Sequence, residues 1–198
     1  MRTSKPHAMH ARGYEFYPVL DEATCACLAA NTHLNDSNTF PINNECDRRQ
    51  RDINPALKRE STALKHIMST VHGVFHDGSV MISNVVFLHT KPRARHQAVH
   101  QDCRPEEEAF AFIVAIKPGT YLMVAEGSQG HGSCTREKLV KLEIPVGHML
   151  LFDGSLWHAG GGGDCPLRLH GMVYKDAGRT RKRRRIAYGH GVRGNFAS

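Results

Sequence analysis

The chain has 198 residues, a formal net charge of +7, 40% apolar and 23% charged residues, which excludes a disordered polyelectrolyte and fits one folded domain with a full-sized core. No apolar run approaches the roughly 20 residues that a bilayer span needs, and the N-terminus lacks a basic-then-apolar secretory layout. An intracellular protein, cytoplasmic or nuclear and without a membrane partner, is therefore expected.

In chain order, residues 1–19 read as a leader, basic and free of acids up to Gly13. Residues 20–78 read as helical support. Apolar residues recur at three-to-four spacing over 20–34 and again over 54–75, through Leu57, Leu64, Ile67, Met68, Val71 and Val74, with Asp52 or Asn54 as the cap of the second helix. Between them, 35–51 is rich in Asn, Asp and Arg and reads as a loop able to cover a site.

From residue 79 to 176 short β-rich runs replace helical periodicity, at 80–88, 110–116, 121–125, 139–144, 149–152 and 167–174. The expected fold is mainly β with N-terminal helices, a jelly-roll core of two sheets. Glycines 160–163 read as a mobile loop governing access, and Glu106, Glu107 and Glu108 as a solvated turn. The tail, 177–198, carries Arg179, Arg181, Lys182, Arg183, Arg184 and Arg185, a run suited to nucleic acid or another anionic partner. Six dispersed cysteines with no CxxC pair imply reduced thiols rather than a disulfide framework.

His100 and Asp102 form an H-x-D after a strand and a polar turn. With 14 His in the chain, chance alone predicts roughly 0.6 such pairs, so position matters more than the pair. Side chains two apart on an extended segment share a side and can face one metal. A third ligand is supplied by His158, at the end of "IPVGHMLLFDGSLWHAG", and Arg168 opens the next strand ten residues later. His96 is the one alternative to His100. Two imidazoles and a carboxylate on one face of an octahedral iron leave positions for a bidentate 2-oxo acid and O2, while a planar guanidinium suits the distal carboxylate of that acid.

These segments, with "VHQDC" and "TYLMVAEGSQGHG", resemble the Fe(II)/2-oxoglutarate-dependent dioxygenases with a double-stranded β-helix core, and especially their phytanoyl-CoA-hydroxylase-like branch, over about residues 80–176. The resemblance implies Fe(II) on His100, Asp102 and His158, 2-oxoglutarate anchored by Arg168, ascorbate as a supporting reductant, and release of succinate and CO2. Gln129 stands where that branch has His, and His170 where a Ser often assists the anchoring Arg, so Tyr121 or His170 is expected to complete the co-substrate site. Retention of Asp102 implies hydroxylation rather than halogenation, of a small molecule or a protein side chain. Two rival readings remain: a cupin-like metal enzyme that needs no Arg168, and a jelly-roll module that binds nucleic acid through its basic tail.

Overall fold

The computed structural model describes residues 9, 11–32, 40–42, 45–75, 80–163 and 167–175. The basic run at 179–185 and the leader up to residue 8 lie outside the described residues. Among the described residues, ten strands form two antiparallel sheets. The major sheet has the order β1 (Tyr14–Pro18), β8 (His148–Asp153), β5 (Ala109–Ala115), β10 (Arg168–Lys175), β4 (Val80–Thr90), β3 (Glu45–Asp52) and β2 (Phe40–Ile42). The minor sheet has β7 (Val140–Glu143), β6 (Tyr121–Val124) and β9 (His158–Gly160). Beside β9 runs the segment 94–100, tied by bridges Ala94 to Gly163 and His100 to His158. No described helix is long and apolar enough to cross a membrane.

Alternation on the central strands builds two cores. Every residue of β5, Ala-Phe-Ala-Phe-Ile-Val-Ala, is buried. Phe110, Phe112 and Val114 face helices α1 (Glu22–Asn31) and α2 (Lys58–Val74), packing with Leu28, Ala63, Ile67 and Val71. Ala109, Ala111, Ile113 and Ala115 face the minor sheet with Leu122, Val124, Leu150 and Phe152. Each fully buried large side chain contributes about 1.5–3 kcal/mol, and Phe87, Phe110, Phe112 and Phe152 are all in that class. With both faces covered, β5 reads as a continuous apolar run instead of an alternating one.

The second helix presents Ala63, Ile67 and Val71 to the sheet at four-residue spacing. Its N-cap is Leu57, without a side-chain bond, rather than Asp52 or Asn54. Asn54 instead holds the turn before it, accepting from the Ala56 N–H at 3.0 Å, and Asp52 is the last residue of β3. The first helix is capped by Asp21, whose carboxylate accepts from the Thr24 N–H at 2.6 Å.

Three sequence expectations change. Within the presumed leader, Tyr14–Pro18 pairs with β8 from Phe152 to His148, because Tyr14 and Phe16 reach the inner core. In the presumed loop 35–51, the described part is a hairpin: β3 pairs with β4 from Arg48↔Thr90 to Asp52↔Val86. This strand has no apolar alternation. Arg51 lies 4.7 Å from the centre of the Phe87 ring and pairs with buried Glu60 at 2.9 Å, so guanidinium stacking and a salt bridge replace hydrophobic side chains. The third change is the glycine run. Gly160, Gly161 and Gly162 are buried, and a Cβ on them would lie 2.1 Å from Gln97 Oε1, 2.8 Å from the Tyr121 ring and 2.6 Å from the Ala94 carbonyl oxygen, respectively. Gly160 closes β9, and Gly160, Gly161 and Gly162 are packed tightly against their neighbours, while a Cβ on half-buried Gly163 would meet nothing within 4 Å.

Candidate metal centre

The H-x-D segment is held by backbone bonds to the β8–β9 connection. His100 and His158 exchange N–H···O bonds, both 2.9 Å, and the N–H groups of Asp102 and Cys103 donate to Gly154 O at 2.8 and 3.0 Å. Gly154 is required there, since a Cβ would come within 2.6 Å of Cys103 Sγ. The turn itself is closed by Asp153, which accepts from Ser155 N–H at 2.9 Å and from its hydroxyl at 2.7 Å. Residues 58 positions apart thereby become neighbours.

His100, Asp102 and His158 each offer one ligand atom, all within 4.8 Å of one another. Asp102 Oδ1 lies 3.6 Å from His100 Nε2, and Oδ2 lies 3.6 Å from His158 Nε2. Both rings use Nδ1 on a carbonyl: His100 on Ala98 O at 2.8 Å and His158 on Leu156 O at 2.9 Å. A carbonyl can only accept, so Nδ1 carries the proton and Nε2 presents its lone pair to the centre. Asp102 Oδ2 is buried with no hydrogen-bond partner, a cost of about 1–3 kcal/mol unless something positive meets it. Two outward lone pairs and an orphaned carboxylate oxygen fit a divalent metal.

Burial opposes ionisation of Asp102, but His158, His100 and His170 outweigh it and hold the carboxyl well below its usual range. For His158, burial dominates and keeps the imidazole below its usual value, against the pull of the Asp102 charge. An ionised Asp102 carboxylate beside a neutral His158 imidazole is the protonation state that metal binding requires.

The centre opens on a cavity of about 150 Å³. Arg168, 4% exposed, enters it from the first position of β10 and donates from Nη1 to Thr90 Oγ1 at 3.0 Å. Thr90, rather than Tyr121 or His170, brings a hydroxyl against the Arg168 guanidinium. Its position at the end of a strand paired with β10 was the available signal. His170 lines the cavity, with Nε2 3.9 Å from Asp102 Oδ2. A bulge faces it, where β4 slips register between His170 and Met172 and Asn84 adopts a positive φ of 54°. Tyr121 is placed elsewhere: its hydroxyl donates to Gly162 O at 2.9 Å and it is absent from the cavity lining. His96 packs its ring on Tyr121, 5.9 Å between centroids, and is not part of the cluster. Gln50 and Gln97, which the sequence did not single out, line the cavity.

No protein-family profile matches the chain, and no curated protein matches it in sequence. Solved structures do. AviO1 from Streptomyces viridochromogenes Tue57 superposes with a TM-score of 0.66 at 15% identity, over 89% of this chain and 96% of that one. HygX from Streptomyces hygroscopicus, with nickel, 2-oxoglutarate and hygromycin B bound, gives 0.62 at 10% identity over 86% and 85%. The non-haem, α-ketoglutarate-dependent epimerase SnoN of nogalamycin biosynthesis gives 0.64 at 14% identity over 86% and 79%. Likeness at this identity speaks for the fold and does not single out the phytanoyl-CoA-hydroxylase-like branch. The chain has the jelly-roll fold of HygX and of the α-ketoglutarate-dependent epimerase SnoN.

Proposed function

We propose that the chain is an Fe(II)- and 2-oxoglutarate-dependent dioxygenase that hydroxylates an organic substrate. The observation that carries this reading is the joining, in one cavity, of the His100, Asp102 and His158 cluster to the buried Arg168 guanidinium. HygX with nickel and 2-oxoglutarate bound and SnoN with Fe3+ and α-ketoglutarate support the same pairing of metal and co-substrate on this fold.

His100 Nε2, His158 Nε2 and an Asp102 oxygen would hold the metal, leaving one side of it toward the cavity. Bound iron would supply the redox chemistry that couples O2 to oxidative decarboxylation of 2-oxoglutarate, giving succinate, CO2 and oxidation of a substrate C–H bond. Arg168, fixed by Thr90, binds the distal carboxylate of the co-substrate and sets its register. Phe152, Leu122, Ile113 and Leu88 exclude water along the carbon chain. At about 150 Å³ the cavity suits a small acid and falls below the roughly 300 Å³ at which drug-sized pockets begin. The primary substrate therefore meets the centre from the mouth, on the side where the His100 side chain is 37% exposed.

Succinate formation from 2-oxoglutarate under air, with Fe(II) and ascorbate, tests the proposal in the native protein and in His158→Ala and Arg168→Ala. Slow uncoupled turnover lost in both variants is expected. No turnover, together with no 2-oxoglutarate uptake by the anaerobic Fe(II) protein, would refute it. The fold also hosts epimerisation, as SnoN shows. Product mass separates the two reactions, since hydroxylation adds one oxygen and epimerisation adds nothing.

A further inference from the structure

β10 ends at Lys175, and near that end Tyr174 pairs with Ala109 on one side and with Met81 on the other. Paired residues of antiparallel strands share a face, and Tyr174 and Ala109 both belong to the core between the sheets. The row Met81, Tyr174, Ala109 is therefore the inner rim of the major sheet. It adjoins the metal centre. Cys103, next to Asp102, has its Sγ 3.8 Å from Ala109 O, and the Tyr174 phenol is pushed up by burial first and then by Cys103, Glu107 and Asp102.

Two features of this rim have no counterpart among the described residues. Met81 stands on the inner face yet is 58% exposed. Glu106, Glu107 and Glu108, which lead into Ala109, are all exposed. Glu107 accepts from the Arg104 N–H at 2.7 Å, and neither Glu106 nor Glu108 is in an ion pair with a described residue.

Lys175 and Glu108 are the next positions along the two strands after the Tyr174 and Ala109 pair, so the chain leaves the sheet beside this acidic turn. Residues 176–198 follow, and Arg179, Arg181, Lys182, Arg183, Arg184 and Arg185 fall within seven of them. Adjacent strands lie about 4.8 Å apart, while the four residues from 175 to 179 can span about 14 Å. The first cation reaches the turn with slack. A lone exposed ion pair is weak, but so short a tether raises the effective concentration to about the millimolar range. Ile186 and Tyr188, just after the basic run, are apolar and complementary to Met81.

We propose that the basic run 179–185 docks on the acidic turn Glu106–Glu108 of its own chain, at the rim of the metal centre. The point of exit, the reach and the charge all coincide there. Seated on the turn, the run competes with any other cationic group that approaches the metal from this side.

Zero-length carbodiimide coupling tests the docking, because Lys182 is the only lysine after Lys175. Full-length protein, mixed from isotope-labelled and unlabelled chains, is coupled at low salt, and peptide masses assign each cross-link to one chain or to two. Cross-links from Lys182 to Glu106 or Glu108 within one chain are expected, in excess over those to Glu22 and Glu137, which are also exposed. At about 1 M salt, where the screening length is about 3 Å, their yield is expected to fall about tenfold. Arg181→Gln, Arg183→Gln, Arg184→Gln and Arg185→Gln, made together, keep Lys182 and should lower the yield to a similar extent. Cross-links spread evenly over the turn, Glu22 and Glu137 would overturn the proposal. So would cross-links joining two chains, or a yield indifferent to salt and to the four arginines.

Discussion

Gly162→Ala tests whether the glycines after β9 are closely packed against the segment 94–96. A Cβ there would lie 2.6 Å from Ala94 O, 2.7 Å from Arg95 C and 2.7 Å from His96 N. All three are backbone atoms, so no side chain can rotate away, and the segment 94–96 must shift. That movement strains the Gly163 N–H bond to Ala94 O, now 2.7 Å. Overpacking costs about 1–3 kcal/mol and a weakened backbone bond about 1 kcal/mol more, giving about 3 kcal/mol together. For a domain of this size the loss corresponds to roughly 6–12 °C in Tm. Gly163→Ala meets no atom within 4 Å but sits at φ 71°, and so costs about 1–2 kcal/mol from backbone conformation alone. Gly132→Ala meets no atom and carries no such φ, and is expected to be neutral or slightly stabilising. Urea unfolding of the three variants, with Cm read at unchanged m, ranks them. Gly162→Ala within about 0.5 kcal/mol of Gly132→Ala would refute the packing argument.

Three further outcomes follow from the geometry. Thr90→Val removes the acceptor of Arg168 Nη1 at constant volume, and is expected to raise the KM for 2-oxoglutarate about fivefold, near 1 kcal/mol, with kcat little changed; an equal fall in kcat would contradict a binding role. Glu60→Gln weakens the fully buried partner of Arg51 and of the Asn54 N–H, and should cost about 2 kcal/mol in chemical unfolding, below the full price of a buried pair because Arg51 keeps some solvent and the Phe87 ring. His89 is held below its usual value of 6.5, first by burial and then by Arg168, Lys117 and Lys91. Its unfolded form takes up a proton before the folded form does, so its contribution is present above about pH 6.5 and lost as pH falls through the lower folded value. His89→Gln should flatten that part of the stability profile, and an NMR midpoint for the native imidazole above 6.5 would contradict it.

How far the sequence could be read depended on what held each element. Strands β5 and β8 were legible because their side chains are apolar on both faces, and the segments around His100 and His158 because ligand chemistry restricts residue type. β3 was not: its Arg48, Gln50 and Arg51 look like loop residues until Phe87, Glu60 and the opposite sheet are known to lie beside them. β9 was hidden by Gly160 and the glycines that follow it, whose requirement comes from neighbours at 94–97 and Tyr121, more than thirty residues away in sequence. Thr90 and Gln97 belong to the same class. A threonine closing a strand and a glutamine in a polar turn have no pattern of their own, and acquire a role only from Arg168 and Gly160 across the barrel.

The small volume of the cavity has an evolutionary side. On the proposed reading, the interior accommodates the co-substrate and little else, so the residues that set metal and acid binding are shielded from any change of primary substrate. Selection for a new substrate then acts on the rim, where a substitution alters recognition without disturbing the chemistry inside. A division of that kind lets recognition at the rim change while the interior stays as it is.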